Sequence, residues 1–305
     1  ALKHLFTIHS PLTFLVAYSV VQHLKLNKKD VIFLTSSGFT VPVEGFQVNK
    51  GYQETEQGWI DKIRNLNFPK AYDAYLDKIL QGNSFIAYVD LMDYYQKIVI
   101  THSKCLHFNF IEEGNFTYQT FDDVKDLAWN ERQGDFRVNN LFDKNSLKAL
   151  IRAARGYNLR ILGIPYIYSA FSNFKDIRFY SFSDNAFYNA PKEKKVLVKP
   201  DINDPQLLQM AGNIRLENEI VWVDGSNSRY TGLTEDFYYE AIEKAISRLE
   251  EKELLKDKIY VKLRPRLDNI GENHLVKSIN ERGYTAIPLT CNMVLESFFI
   301  VSKNC

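Results

Sequence analysis

The strongest constraint on the fold is a strand–helix–strand pattern within the first 35 residues. Lys3–Ile8 has the composition of a β-strand, and Val31–Thr35 is a second, fully apolar strand. Between them Ser10 suits a helix N-cap and Pro11 the first helical position, after which apolar residues recur at helical spacing. Because two strands joined by a helix pair in parallel, the chain is predicted to begin with a βαβ unit of a parallel sheet.

The same alternation returns in the last third of the chain. Glu219–Val223, Ile259–Leu263 and Ala286–Leu289 are predicted strands, with helical patterns between them. Before them, residues 200–205 contain two prolines and three polar turn residues, which continue neither a helix nor a strand. We therefore predict two α/β domains, residues 1–205 and 206–305, with a cleft between them.

Composition and charge narrow the class of protein. The chain has 305 residues, 45% of them hydrophobic and 25% charged, as in globular proteins of two domains. Its 38 basic and 37 acidic residues give no indication of a nucleic-acid partner. Three cysteines at unrelated spacings favour a reducing cytoplasm. No apolar stretch reaches the roughly 20 residues of a membrane span, so we expect a soluble protein with at most peripheral contact with the inner membrane.

The candidate catalytic residues of the first domain follow a strand. Leu106–Ile111 has strand composition and ends in Glu112-Glu113-Gly114. In open α/β sheets, ligands bind beyond the carboxyl ends of the strands. A carboxylate held there among aromatic residues can acquire the pKa that a general base needs. The alternative is a solvated acidic turn.

Two turns of the second domain carry the groups that would face this carboxylate. Serine, asparagine and arginine side chains there could hold a leaving phosphate while the carboxylate deprotonates an acceptor hydroxyl. Such an arrangement suits transfer of a group from an anionic donor. The alternatives are a solvated turn and ordinary surface charge. The candidate residues are Asp224, Gly225, Ser226 and Asn227 in one turn, and Arg264, Pro265 and Arg266 in the other.

Other site types find little support in the sequence. The six histidines show no metal-binding spacing, so no metal is predicted. His9 is kept as a candidate for substrate binding because it follows the first strand of a βαβ unit, although a structural role is the alternative. Glycine-rich dinucleotide loops, Walker loops, GxSxG and CxxC are absent from the sequence.

Four short motifs, in this order along the chain, resemble those of bacterial sialyltransferases of the lipooligosaccharide sialyltransferase and capsule polysialyltransferase type. A strand followed by Ser-Pro-Leu opens the chain, and an acidic-acidic-Gly motif follows a later strand. The third motif has the form Phe-Ser-x-x-Ala-Phe, and the fourth resembles Lys-x-His-Pro at a strand end. Here they are Ser10-Pro11-Leu12, Glu112-Glu113-Gly114 with Tyr118 close behind, Phe182–Phe187, and Lys262-Leu263-Arg264-Pro265.

The resemblance implies a GT-B-like fold, in which two Rossmann-type domains with parallel sheets face each other across a cleft. It implies an inverting, metal-independent transfer of sialic acid from CMP-sialic acid to a hydroxyl of a surface glycan, such as lipooligosaccharide, O-antigen or capsule. The donor would be the only small molecule required, with no separate cofactor. Residues 1–205 would form the acceptor side and residues 206–305 the donor side.

The resemblance also assigns roles to residues. Glu112 would be the general base, with Glu113 as the second choice, and Arg264 would stabilise the leaving CMP. The family has histidine at that last position, whereas arginine stays charged and contributes only electrostatics and hydrogen bonds. The family's Ser-Ser pair near the C-terminus has no counterpart in the sequence up to Cys305, so either it lies beyond this sequence or other serines serve. The remaining predicted substrate-binding residues are His9, Ser10, Gly114, Asp224, Gly225, Ser226, Asn227, Lys262, Pro265 and Arg266.

Several alternatives remain open at this point. The donor could carry another CMP-activated nonulosonic acid or Kdo in place of sialic acid. The chain could also be a non-catalytic GT-B-like module that binds a nucleotide or a glycan, which the change to Arg264 and the missing Ser-Ser pair favour. A nucleotide-sugar epimerase with the same two-domain architecture is a third interpretation.

Overall fold

The structure is a computed structural model, and it describes residues 2–36, 39–51, 68–90, 94–118, 164, 168–172, 174–201, 203–211, 219–223, 235–262 and 274–289. The chain divides into two compact units, Ala1–Asp201 and Ile202–Cys305. The sequence placed the domain boundary near residue 205.

The first unit is built on a parallel sheet of seven strands. Their order in the sheet is β3-β2-β1-β4-β5-β6-β7. Each neighbouring pair runs parallel, as the predicted βαβ opening requires. The strands are β1 (Lys3–Ile8), β2 (Val31–Thr35), β3 (Gln47–Lys50), β4 (Phe85–Val89), β5 (Cys105–Ile111), β6 (Phe179–Ser181) and β7 (Lys195–Leu197).

Three α-helices of the first unit are described: α1 (Pro11–His23), α2 (Phe68–Leu80) and α3 (Tyr94–Ile100). The predicted N-cap of α1 is confirmed. The Ser10 side chain accepts a hydrogen bond from the Thr13 backbone N–H at 3.3 Å, and the Ser10 N–H donates to Thr13 Oγ1 at 3.0 Å. This reciprocal pair satisfies donors that the first helical turn would otherwise leave unpaired.

The strand order determines where a ligand can bind in the first unit. Strand β1 pairs with β2 on one side and with β4 on the other. The chain therefore winds outward in both directions from β1, and the order reverses between β1 and β4. In open parallel sheets the crevice at this reversal, at the carboxyl ends of the strands, is the usual ligand site.

Aromatic side chains hold the neighbouring strands β5 and β6 in place. The ring of Phe110 stacks on that of Phe179 with centroids 5.5 Å apart, and both rings are buried. Phe171 and Phe187 pack against the same pair. Because rings of this size bury a large apolar area, the cluster gives a rigid base to the residues at the carboxyl ends of these two strands.

The second unit has a smaller parallel sheet, with strand order β10-β9-β8. The core between sheet and helices includes Ile246, Ile259, Val261 and Ile279. Its strands are β8 (Ile220–Val223), β9 (Lys258–Lys262) and β10 (Thr285–Leu289), and its described helices are α4 (Pro205–Ala211), α5 (Glu235–Glu251) and α6 (His274–Glu281).

Two parallel α/β sheets confirm the predicted fold class, a GT-B-like protein with two Rossmann-type units. Within the described ranges, none of the helices combines the length and the apolar character needed to cross a lipid bilayer.

Candidate functional site

Charged side chains meet where three neighbouring strands of the first sheet end. His9 follows β1, Asp90 follows β4, and Glu112 and Glu113 follow β5. These strands are adjacent in the order β1-β4-β5. The parallel direction therefore brings their carboxyl ends, and these four residues, to one edge of the sheet, which includes the reversal between β1 and β4.

Asp90 is a buried carboxylate, and both of its oxygens have hydrogen-bond partners. Its Oδ1 accepts hydrogen bonds from Thr7 Oγ1 at 2.6 Å and from Gln96 Nε2 at 3.1 Å. Its Oδ2 pairs with His9 Nδ1. Burial alone would raise the pKa of Asp90, but the bonds and charge supplied by His9, Thr7 and Gln96 hold it below its ordinary value. Asp90 is therefore ionised at neutral pH.

His9 lies between two carboxylates. Nδ1 faces Asp90, while Nε2 is 3.6 Å from Glu113 Oε1, a distance that allows charge attraction but exceeds a hydrogen bond. Burial alone would lower the pKa of His9, but the hydrogen bond to Asp90 and the charges of Asp90 and Glu113 raise it to about 10. The imidazole is therefore protonated at neutral pH and carries an N–H on Nε2.

His9 and Glu113 are the members of this group that a ligand can reach, with side chains 22% and 19% exposed, whereas that of Asp90 is 0% exposed. A hydroxyl oxygen placed between the two could accept from His9 Nε2–H and donate to the Glu113 carboxylate. The arrangement can therefore bind a hydroxyl group and exchange a proton with it. We call Asp90, His9 and Glu113 the strand-end triad.

Glu112, the residue predicted as general base, has a different environment. It is buried, and each of its carboxylate oxygens accepts a hydrogen bond. Oε1 accepts from the Tyr118 hydroxyl at 2.6 Å, and Oε2 accepts from the Phe182 backbone N–H at 2.8 Å. Burial and the Glu112 carboxylate raise the pKa of Tyr118, so its hydroxyl keeps the donated proton. Glu112 thus ties the end of β5 to the turn at residues 115–118 and to the residue after β6.

The predicted residues Gly114 and Ser10 also have local structural roles. Gly114 has φ +118°, a conformation that side-chain-bearing residues rarely adopt, and a Cβ there would lie 3.4 Å from Leu12 Cδ2. Its carbonyl accepts from Thr117 Oγ1 at 2.5 Å. Ser10 uses its side chain in the cap of α1. A direct role of either in ligand binding stays a prediction.

Most of the predicted donor-side residues lie outside the described residues. Lys262 is the exception: it is buried at the end of β9, in register with Val223 of β8 and Leu289 of β10. Those outside are Asp224, Gly225, Ser226, Asn227, Arg264, Pro265 and Arg266.

The sequence interpretation missed Asp90, Thr7 and Gln96. Asp90 directly follows the apolar strand Phe85–Val89. A polar residue at that point, on the strand next to β1 in a Rossmann order, is the signal that could have identified it. Among the residues that the structure describes, no cluster of three or more histidine, cysteine or acidic residues has the arrangement of a metal site.

Comparison with known proteins gives no family assignment. No protein-family model matches the chain, and no curated protein matches its sequence. Among solved structures, the chain is similar to S. aureus MnaA in complex with UDP, with 10% identity and a TM-score of 0.45 over 97% of this chain and 71% of that one. A Listeria monocytogenes protein described as a UDP-N-acetylglucosamine 2-epimerase has 8% identity and a TM-score of 0.41, over 98% and 72%. Likeness at this level concerns the fold alone.

The predicted sialyltransferase identity is wrong. The similar structures are named for UDP and for a UDP-sugar epimerase, and neither is a sialyltransferase. Transfer of sialic acid from CMP-sialic acid is withdrawn with it, whereas Glu112, Glu113 and Arg264 as site residues stay predictions. The physical reason lies in the motifs, because three of their residues have structural functions in the described structure. Ser10 caps a helix, the buried Glu112 carboxylate accepts a hydrogen bond from the Phe182 N–H, and Gly114 makes a turn.

Proposed function

We propose that the chain is a GT-B-like module that binds a nucleotide sugar or a glycan, with a sugar hydroxyl held between His9 Nε2 and Glu113. The observation that carries this proposal is the strand-end triad at the strand reversal of the first sheet. The hydroxyl follows from the chemistry of the triad. The nucleotide is inferred from the fold class, which is an analogy. We also place the protein in the cytoplasm, from its cysteine usage.

The charges of the triad favour a hydroxyl over an anion. Within the triad, the two carboxylates of Asp90 and Glu113 flank the cation of His9, so these three side chains together carry a net negative charge. A phosphate or carboxylate would meet the repulsion of Glu113, which is the more accessible acid. A hydroxyl both accepts from Nε2–H and donates to Glu113, so it satisfies both partners.

Calorimetric titration tests this proposal with UDP-N-acetylglucosamine, UDP, N-acetylglucosamine, CMP and a panel of oligosaccharides. We expect saturable binding that depends on the sugar and that Glu113→Gln or His9→Gln weakens about 10- to 100-fold. A hydrogen bond to a charged group contributes about 1.5–3 kcal/mol, which corresponds to that range.

Asp77→Asn is the matched control, because Asp77 also lies beside a histidine, His102, but at the end of the sheet where β5 begins. It should leave binding unchanged. Absence of binding to every probe at millimolar concentration, or equal affinity for a probe with and without its sugar, would contradict the proposal. Conversion of the bound sugar to a product in the same mixtures would show that the module is an enzyme.

A further inference from the structure

The two oxygens of Asp90 have different partners. Two neutral donors, Thr7 Oγ1 and Gln96 Nε2, bond to Oδ1. The Asp90 backbone N–H also donates to Thr7 Oγ1 at 3.3 Å, which fixes the threonine hydroxyl as a donor to the carboxylate. Oδ2 faces the His9 ring. The carboxylate is therefore held in one orientation before any ligand arrives.

We propose that Asp90 is the positioning residue of the ligand site: it keeps the proton on His9 Nδ1 and directs Nε2–H towards the ligand hydroxyl beside Glu113. This inference rests on the proposed function for the identity of the ligand. The effect of Asp90 on the His9 ring, however, does not require a ligand. Asp90 touches no ligand itself, because its side chain is fully buried behind the imidazole.

The substitution Asp90→Asn would place a donor where Asp90 has an acceptor facing His9, while keeping the shape of the side chain. Thr7 and Gln96 both donate, so they would bond to the asparagine carbonyl oxygen in the place of Oδ1. The asparagine amide N–H₂ would then face His9 Nδ1. Two donors cannot face each other, so Nδ1 would have to lose its proton and act as the acceptor.

Nitrogen NMR of the histidine rings in the ligand-free full chain tests the inference directly. In the unsubstituted protein at pH 7.5, we expect His9 Nδ1 to carry a proton. In Asp90→Asn we expect the pKa of His9 to fall by about 3 units from about 10, to below the pH of the measurement, because both the charge and the hydrogen bond of Asp90 are lost. The Nδ1 signal should then become that of an unprotonated ring nitrogen. Glu113, the other charged group facing the ring in the described structure, remains in that variant.

Asp77→Asn is again the matched control and should leave the His9 signals unchanged. An unprotonated Nδ1 in the unsubstituted protein would overturn the inference even if Asp90→Asn failed to fold. So would an Asp90→Asn protein in which the Nδ1 signal and the pKa of His9 stay the same.

Ligand binding separates this inference from the proposed function. With UDP-N-acetylglucosamine as the probe, Asp90→Asn should weaken binding about 10-fold at pH 7.5, since the hydrogen bond from Nε2 is no longer charge-assisted. Unchanged affinity in a variant whose His9 has lost its Nδ1 proton would overturn the positioning role. If no probe binds the unsubstituted protein, the proposed function fails, whereas the NMR result still decides how Asp90 controls His9.

Discussion

Replacing Glu112 by alanine should destabilise the first unit far more than replacing its neighbour Glu113. The Glu112 carboxylate accepts from Tyr118 at 2.6 Å and from the Phe182 N–H at 2.8 Å, and it is buried. Alanine removes both acceptors and leaves a cavity at the meeting point of three chain segments. Glu113 is partly exposed, so its substitution by glutamine should cost less than about 1 kcal/mol.

The size of the effect follows from the two hydrogen bonds. A bond to a charged acceptor contributes about 1.5–3 kcal/mol. Loss of the hydrogen bond from Tyr118 costs less, because Tyr118 is 41% exposed and its hydroxyl can bond to water instead. The Phe182 N–H is the donor left without a partner. We therefore expect Glu112→Ala to lower the free energy of unfolding by about 2–4 kcal/mol.

Urea unfolding followed by circular dichroism measures the change, and hydrogen exchange at the Phe182 amide assigns it to this site. Tyr118→Phe is the companion variant, with an expected loss of about 1.5 kcal/mol, because it removes one of the two donors to the buried carboxylate. Glu112→Gln should lie between the two, because its amide can still accept from Phe182 and donate to Tyr118. A Glu112→Ala protein within about 0.5 kcal/mol of the parent, with unchanged exchange at Phe182, would refute the assignment of Glu112 as an anchor.

Four further outcomes are expected. Gly114→Ala should cost about 1–3 kcal/mol in a urea titration, because φ +118° strains any residue with a Cβ; no loss would contradict that backbone conformation. The pKa of His9 is raised from 6.5 to about 10, so its stabilisation should be complete below pH 6.5 and disappear as the pH rises to about 10; His9→Gln should remove this alkaline loss from thermal unfolding curves. Burial raises the pKa of Cys105 to about 12, so iodoacetamide should label it only after unfolding, as read by peptide mass spectrometry. Arg282→Ala should lower the stability of the second unit by about 1 kcal/mol, since it removes partly exposed ion pairs to Glu243 and Glu250; amide exchange in α6 reports it.

Local patterns in the sequence were sufficient to predict the fold class. The apolar runs of β1 and β2, and the Ser10-Pro11 start of α1, depend on residues close together in the chain, and all three are confirmed. The edge strand β3 was not predicted, because Gln47–Lys50 alternates between half-buried and exposed positions with mostly polar residues. Its pairing with β2 is a tertiary contact that composition does not indicate.

The candidate site could be predicted only in part, because its geometry depends on strand order. His9 and Glu113 were recognised as residues at strand ends. Their contact is set by the neighbouring positions of β1, β4 and β5, which no single segment specifies. The two adjacent glutamates are equivalent in sequence, yet Glu112 is buried among donors and Glu113 lies beside His9. Only the tertiary structure separates a buried anchor from a partly exposed acid.

The position of His9 between a strand end and a helix cap has a consequence for affinity. Its backbone N–H donates to Thr13 Oγ1 at 3.2 Å, and its ring is held by Asp90. Ordering a mobile side chain upon association costs about 0.5–1.5 kcal/mol, and here folding has already restricted the ring. The imidazole is thus preorganised, and a ligand that docks against it forfeits little conformational entropy.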